Sequence, residues 1–233
     1  MIRYMTVCHR LCKMKSEHRT FVREHVVGSE TLEIHQDPEG NWSAGCGATV
    51  WDSALVLSAY LEANSSLVEG KCVLEIGAGT GLVGLVCGVL GAKRTVLADH
   101  PMALPLLEKN LVENASKTGP MVHEPLEWVN TAHVEQLLAA DEDGFELVVL
   151  ADCVHWPELF EPLVSTLASL VTSPETQCLM AYEERNAKTE AEFFAMLRAG
   201  DKFVVRRLEE SEMDPRFYAD DIHVFSITRP AVG

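Results

Sequence analysis

The sequence predicts an α/β fold: a three-layer sandwich with helices covering both faces of one seven-stranded, mostly parallel sheet. Three observations carry that expectation. From Lys71 onward short apolar runs alternate with amphipathic stretches, the pattern of repeated strand–helix units. One such run, Val73-Leu74-Glu75-Ile76, leads straight into Gly77-Ala78-Gly79-Thr80-Gly81 and then into an apolar stretch of helical length. The series closes with two strands separated only by the polar segment 209–221, which predicts an antiparallel strand at one edge of the sheet.

Ahead of the sheet, residues 21–27 and 31–36 alternate around Gly28-Ser29 and predict a β-hairpin over 21–36. After the turn-rich 37–47, Val50, Ala54, Leu57 and Leu61 stand at helical spacing and predict a helix over 50–62. Strands are expected over 72–76, 95–98, 121–127, 146–151, 177–182, 203–208 and 222–227, with helices over 82–90, 103–115, 134–140, 157–170 and 189–199. A chain of 233 residues holds one well-buried core and is short for two ordinary ones. No internal repeat and no Pro-, Ser- or Gly-rich linker divides it. Residues 19–233 are therefore expected to form a single domain behind a tail of 1–18.

With 47% apolar and 23% charged residues the composition excludes disordered, collagenous and low-complexity classes. The longest apolar stretches, such as 81–91, fall well short of a bilayer span, so no membrane segment is expected. The first fifteen residues lack the apolar run and cleavage site of a secretory signal; a mitochondrial presequence stays open. Seven unevenly spaced cysteines, with Cys46, Cys72, Cys87, Cys153 and Cys178 in apolar or small-residue settings, predict reduced, buried thiols and a cytoplasmic or nuclear setting. Cys8, His9 and Cys12 lack a second ligand pair at zinc spacing, and no metal is expected. The net charge of −16 disfavours nucleic acid and would suit a basic protein partner, although solubility alone is an equal reading of the same number. A monomer is expected.

The chemistry is concentrated after the first parallel strand. Glycines there let the backbone turn sharply and let a ligand approach its peptide groups, while the following helix offers unpaired N–H groups. Asp99 ends the next strand eighteen residues after Gly81, where a carboxylate can accept both ribose hydroxyls of an adenosine. Gly79-x-Gly81-x-x-Gly84 also matches a nicotinamide-dinucleotide fingerprint. Against that reading, the fingerprint would start two residues late relative to the strand, and Glu75 would repel a pyrophosphate but suit a cationic ligand such as S-adenosylmethionine.

Together with that loop, several runs form one combination. Val50-Trp51-Asp52-Ser53-Ala54-Leu55-Val56-Leu57, Val73 through Gly84, Ala98-Asp99-His100-Pro101, Leu104-Pro105-Leu106-Leu107-Glu108-Lys109-Asn110, Leu126-Glu127-Trp128, Ala151-Asp152-Cys153-Val154, Tyr182-Glu183-Glu184-Arg185 and Ile222-His223-Val224-Phe225 belong to it. The combination resembles methyltransferase family 16, the methyltransferase-21-like protein-lysine methyltransferases, over residues 20–228. The resemblance implies a Rossmann-like, seven-β-strand domain that uses S-adenosyl-L-methionine, yields S-adenosyl-L-homocysteine, and methylates a lysine of a non-histone protein. It also implies a donor pocket lined by Trp51, Gly77, Ala78, Gly79, Asp99, Trp128 and Ala151; from the residues alone, core packing is the preferred reading of both tryptophans.

The sequence departs from the family at one place. The family's Asp-x-x-Tyr at the end of the fourth strand is here Asp152-Cys153-Val154-His155. Asp152 is expected to hold and aim the acceptor amine, and His155 to supply the hydrogen bond of the missing tyrosine and receive a proton; a helix-start histidine with no such role is the alternative. Cys153 reads as packing, and Glu183-Glu184-Arg185 as a substrate contact or a solvated strand end. Two further readings follow from the same change, a donor-binding protein with lost activity and a methyltransferase of a non-lysine acceptor.

Overall fold

The computed structural model describes residues 20–40, 42, 44–139 and 144–231. The expected tail, with Cys8, His9 and Cys12, lies outside the described residues. The chain opens with a hairpin, β1 (Phe21–Val27) and β2 (Glu30–Gln36), and continues through α1 (Asp52–Ala63), β3 (Cys72–Ile76), α2 (Leu82–Val89), β4 (Arg94–Asp99), α3 (Leu104–Asn114), β5 (Met121–Pro125) and α4 (Thr131–Ala139). It ends with β6 (Leu147–Ala151), α5 (Phe160–Leu170), β7 (Gln177–Glu183), α6 (Ala187–Arg198), β8 (Val204–Arg207) and β9 (Ile222–Thr228). Every expected element is present. The largest shifts are at α4, which starts at Thr131, and at α5, whose expected first turn is a separate 3-10 turn over Pro157–Leu159.

The large sheet has the order β5-β4-β3-β6-β7-β9-β8. Strands β3 to β7 pair in parallel, and β9 runs antiparallel to both β7 and β8. The central strands are buried on both faces, which is why they read as unbroken apolar runs. Leu74, Ile76, Val148 and Leu150 pack with Phe160, Leu163 and Leu167 of α5; Val73, Leu147 and Val149 pack with Val56, Leu57 and Leu61 of α1. Each such fully buried side chain stabilises the fold by roughly 1.5–3 kcal/mol. The chain lays down β3, β4 and β5 outward in one direction and then returns to place β6 beside β3. Their carboxyl ends diverge at that reversal and leave a crevice, the usual ligand position in such sheets.

The hairpin is fastened to this frame on two sides. Val27, Leu32 and Ile34 are fully buried against Leu82, Leu85 and Val86 of α2. Along the β2 edge, two asparagines of α3 act as a surrogate strand. Asn114 accepts from the Glu33 N–H and donates to the Glu33 carbonyl, both at 2.9 Å. Asn110 accepts from the His35 N–H at 2.8 Å and donates to the His35 carbonyl at 3.0 Å and the Thr80 carbonyl at 2.8 Å. Both asparagines are fully buried, and they occupy one helix face because they stand four residues apart. The edge of β2 is thereby covered, and Asn110 connects the hairpin to the glycine loop.

Glu75 is the one acid inside the sheet among the buried groups of β3. Its Oε2 accepts from the Gly84 N–H of α2 at 2.7 Å. Burial pushes its carboxyl from the ordinary 4.5 up to about 8, against the pull of that hydrogen bond. At neutral pH it therefore keeps its proton, while in the unfolded chain it is ionised. Between those two values the folded state binds the extra proton, so its contribution to stability falls as pH rises from about 4.5 to about 8 and levels off above.

Two outcomes are expected. Asn114→Ala leaves both backbone groups of Glu33 without partners and lowers the unfolding free energy by about 2 kcal/mol, read as a lower urea midpoint at unchanged slope; an unchanged midpoint would show that the amide clasp is dispensable. Glu75→Gln removes the proton linkage, so in the ligand-free protein its stability relative to wild type improves steadily from pH 5 to about pH 8. Parallel stability curves across that window would contradict the buried, protonated carboxyl.

Candidate active site

The loop after β3 is built from backbone that cannot carry side chains. Gly77 has φ 62° and Gly79 φ 55°, the left-handed region that favours glycine. A Cβ on Gly77 would lie 2.6 Å from the Cys153 sulfur, and one on Gly79 would lie 2.9 Å from the Gly47 carbonyl oxygen. The loop is thus pressed between Cys153 beneath it and the short turn Gly45–Ala48 beside it. The Gly79 N–H donates to Asp99 Oδ2 at 2.6 Å, and the His100 N–H donates to Oδ1 at 2.5 Å. Burial pushes the Asp99 carboxyl up, and these two N–H groups pull it back down.

A cleft of about 840 Å³ opens above the carboxyl ends of β3, β4 and β6, and all ten residues expected from the sequence line it. They are Trp51, Glu75, Gly77, Ala78, Gly79, Asp99, Trp128, Ala151, Asp152 and His155. Trp51 precedes α1, is 41% exposed, and donates its indole N–H to the Cys46 carbonyl at 2.9 Å. Trp128 follows β5 and rests partly buried against the sheet core. Ala151 is the last residue of β6. Glu75 reaches the cleft floor, but its carboxyl is committed to α2 and protonated at neutral pH, so it presents no standing charge to a ligand.

Asp152 sits at φ 58°, unusual for a residue other than glycine. That bend turns its carboxylate toward the next strand. Its side chain is 4% exposed and is gripped by Arg185 through two hydrogen bonds, Nη1 to Oδ1 at 2.7 Å and Nη2 to Oδ2 at 2.6 Å. Arg185 follows β7, reaches Glu183 Oε2 at 2.8 Å, and holds its guanidinium 5.4 Å from the Trp51 ring centre. His155 points its Nδ1 at the Asp152 carbonyl, 3.0 Å away, leaving a buried Nε2 without a protein partner. A proton on Nδ1 makes Nε2 an acceptor.

Three features of the cleft go beyond or against the sequence reading. Arg185 was reachable only as part of an ambiguous acidic run; its position just past a parallel strand, where ligand sites gather, is the signal that marks it. The turn Gly45–Ala48 is held over the loop by Gln36, whose Oε1 accepts from the Val50 N–H at 2.8 Å, and by the Asp37 N–H donating to the Ala48 carbonyl at 2.8 Å. Cys46, expected to be buried, is exposed because it belongs to this turn at the cleft mouth; Cys72, Cys87, Cys153 and Cys178 are buried as expected. Cys153 fills the space under Gly77, and burial holds its thiol well above the ordinary value, which agrees with packing rather than nucleophilic chemistry.

A family profile described as "Lysine methyltransferase" matches residues 27–200. The mouse (Mus musculus) "Protein N-lysine methyltransferase METTL21A" is 32% identical over 202 residues, covering 84% of this chain and 83% of that one. The Xenopus tropicalis "EEF1A lysine methyltransferase 3" is 30% identical, covering 79% and 76%. Among solved structures, a Streptococcus mutans protein named as a SAM-dependent methyltransferase superposes with a TM-score of 0.58 at 10% identity; it covers 92% of this chain, which spans 56% of that longer one, and shows the fold alone. With a seven-stranded sheet of this order, a glycine loop at its switch point and a matching profile over most of its length, the chain belongs to the lysine methyltransferase family and is an S-adenosylmethionine-dependent methyltransferase.

Proposed function

We propose that this protein methylates the side-chain amine of a lysine in a non-histone protein, and that a basic stretch of that partner is drawn to the strongly acidic chain. The observation that carries the reading is the shared cleft: a glycine backbone, a strand-end acid and a second, buried carboxylate face one volume of about 840 Å³. The donor half fits S-adenosylmethionine. Where Gly77 and Gly79 stand, no Cβ is tolerated, so the peptide groups lie open to a close ligand. Asp99 uses one lone pair of each oxygen on backbone N–H groups and keeps others for ribose hydroxyls. Trp128 and Trp51 offer apolar faces that exclude water. Bound there, S-adenosylmethionine supplies a methyl group on a positively charged sulfur and leaves as S-adenosylhomocysteine.

The acceptor half is Asp152 with His155. A lysine amine has a pKa of about 10.4 in water and reacts only after losing a proton. A carboxylate favours the ammonium form, so Asp152 serves to seat and orient the amine, not to deprotonate it. His155 lines the cleft and keeps a buried, unpaired Nε2; once an entering amine opens that nitrogen to the cleft, it is suited to take the proton and pass it to water. In this reading the histidine replaces the family's tyrosine as the orienting hydrogen-bond partner and adds a base.

Recombinant protein, a lysate from cells lacking it, and radiolabelled donor test the proposal; labelled peptides then identify the acceptor residue. Asp99→Ala is expected to weaken donor binding about tenfold to a hundredfold by calorimetry, the equivalent of one or two lost hydrogen bonds, with an unaltered fold. His155→Ala is expected to lower turnover about a hundredfold. If His155→Ala and His155→Phe both turn over like wild type, the histidine has no part in the reaction. Label on a residue other than lysine would redirect the acceptor assignment while leaving the donor half intact.

A further inference from the structure

The Asp152 carboxylate already has a cation on it, and that cation belongs to the protein. Arg185 contributes both of its terminal nitrogens to Asp152, at 2.6 and 2.7 Å, and lays its guanidinium over the Trp51 ring at 5.4 Å. A carboxylate beside an exposed indole face is a recognition site for organic cations, because the ring quadrupole and the anion attract the same charge. It suits an ammonium as well as a guanidinium. We propose that Arg185 is a resident competitor, which fills the acceptor-ammonium site in the absence of substrate and must swing out when a lysine enters.

Two features make the exchange feasible. Arg185 shares its charge between Asp152 and Glu183, whose Oε2 is 2.8 Å from Nη2. Two carboxylates on one guanidinium leave a local charge of minus one, which an incoming ammonium balances while Glu183 retains the displaced arginine. The swing involves the side chain alone. The Arg185 and Asn186 N–H groups both donate to Glu190 Oε1, at 3.0 and 2.9 Å, and Glu190 is buried, so the backbone stays pinned at the start of α6. The Arg185 side chain is about one third exposed, against 4% for the Asp152 side chain it covers.

This inference rests on the reading of Asp152 as the lysine-seating residue. Its test uses n-butylammonium chloride as a mimic of the lysine side chain, added to the full-length protein saturated with S-adenosylhomocysteine. The Arg185 Nε–H and Trp51 indole N–H signals are followed by ¹⁵N NMR and assigned with Arg185→Lys and Trp51→Phe. Both signals are expected to move along one saturation curve in wild type. Arg185→Gln, which keeps a neutral donor for Asp152, is expected to bind the amine about tenfold tighter, as removal of an occupant docked nine-tenths of the time requires; Asp152→Asn is expected to lose binding. An Arg185 signal that stays fixed while the amine saturates, an Arg185→Gln affinity no better than wild type, or no amine binding by any of the proteins would overturn the proposal. Should Arg185→Gln fail to fold, the wild-type titration decides alone. Lysine labelling of lysate proteins without any displacement of Arg185 removes this inference only; displacement without labelling removes the methyl transfer and leaves the cation site.

Discussion

Gly79 stands where four segments of the chain meet. Its N–H is held by Asp99 from the end of β4, its Cα lies against Gly47, its loop is underpinned by Cys153 after β6, and the adjoining Thr80 carbonyl is held by Asn110 of α3. Each contact requires a main chain with no side chain in the way. The cost of forcing backbone into a left-handed bend is therefore met at Gly77, Gly79 and Gly81, where glycine makes it small. Everything that shapes the cleft is measured from this point. If the loop moved by an ångström, the acid of β4, the turn before α1 and the bend at Asp152 would lose their common register.

The acids of the cleft show how one sheet edge carries several carboxyls without tearing itself apart. Glu75 is neutral by burial, with its oxygen on a helix N–H. Asp99 is tied to two backbone N–H groups, which stabilise its ionised form against desolvation. Asp152 is paired with arginine. These are the three ways a protein can keep an acid out of water: leave it protonated, bond it to N–H dipoles, or give it a counter-ion. Each leaves the group with a different aptitude. The first serves architecture, the second a neutral polyol, and the third a cation. A single charge count for the chain, however negative, contains none of that distinction.

That contrast explains what was legible in the sequence. Strands β3, β4, β6 and β7 are apolar on both faces, so composition along a few residues suffices to place them. The loop after β3 and Asp99 are fixed by distance along the chain, because a strand–turn–helix unit determines where the next strand ends. Trp51 and Trp128 entered only through resemblance, since an indole by itself reads more readily as core. The grip of Arg185 on Asp152 joins residues thirty-three apart across two parallel strands, and depends on a positive φ at an aspartate that no local pattern announces. The clasp of Asn110 and Asn114 on β2 is likewise long-range, 75 and 81 residues, and a pair of asparagines on a helix suggests by itself a poor helix former. Local periodicity encodes elements; the side chains that set their chemistry are matched across the fold.

The histidine at position 155 belongs to the second group, and its geometry bears on the loss of a tyrosine there. A tyrosine hydroxyl both donates and accepts at one atom, whereas an imidazole divides those roles between two nitrogens on opposite sides of the ring. Here Nδ1 is spent on the Asp152 carbonyl, which fixes the ring and makes the remaining nitrogen a pure acceptor. The same bond couples the histidine to the strained residue whose carboxylate Arg185 covers. Orientation of the imidazole and orientation of the carboxylate therefore come from one stretch of backbone, Asp152 to His155, and a displacement of the bend at Asp152 would misplace both at once. A tyrosine in this position would need no such tether. Compared with a tyrosine, the histidine thus presents a directed lone pair in place of a freely rotating hydroxyl, and it ties this side of the cleft to a single unfavourable φ angle.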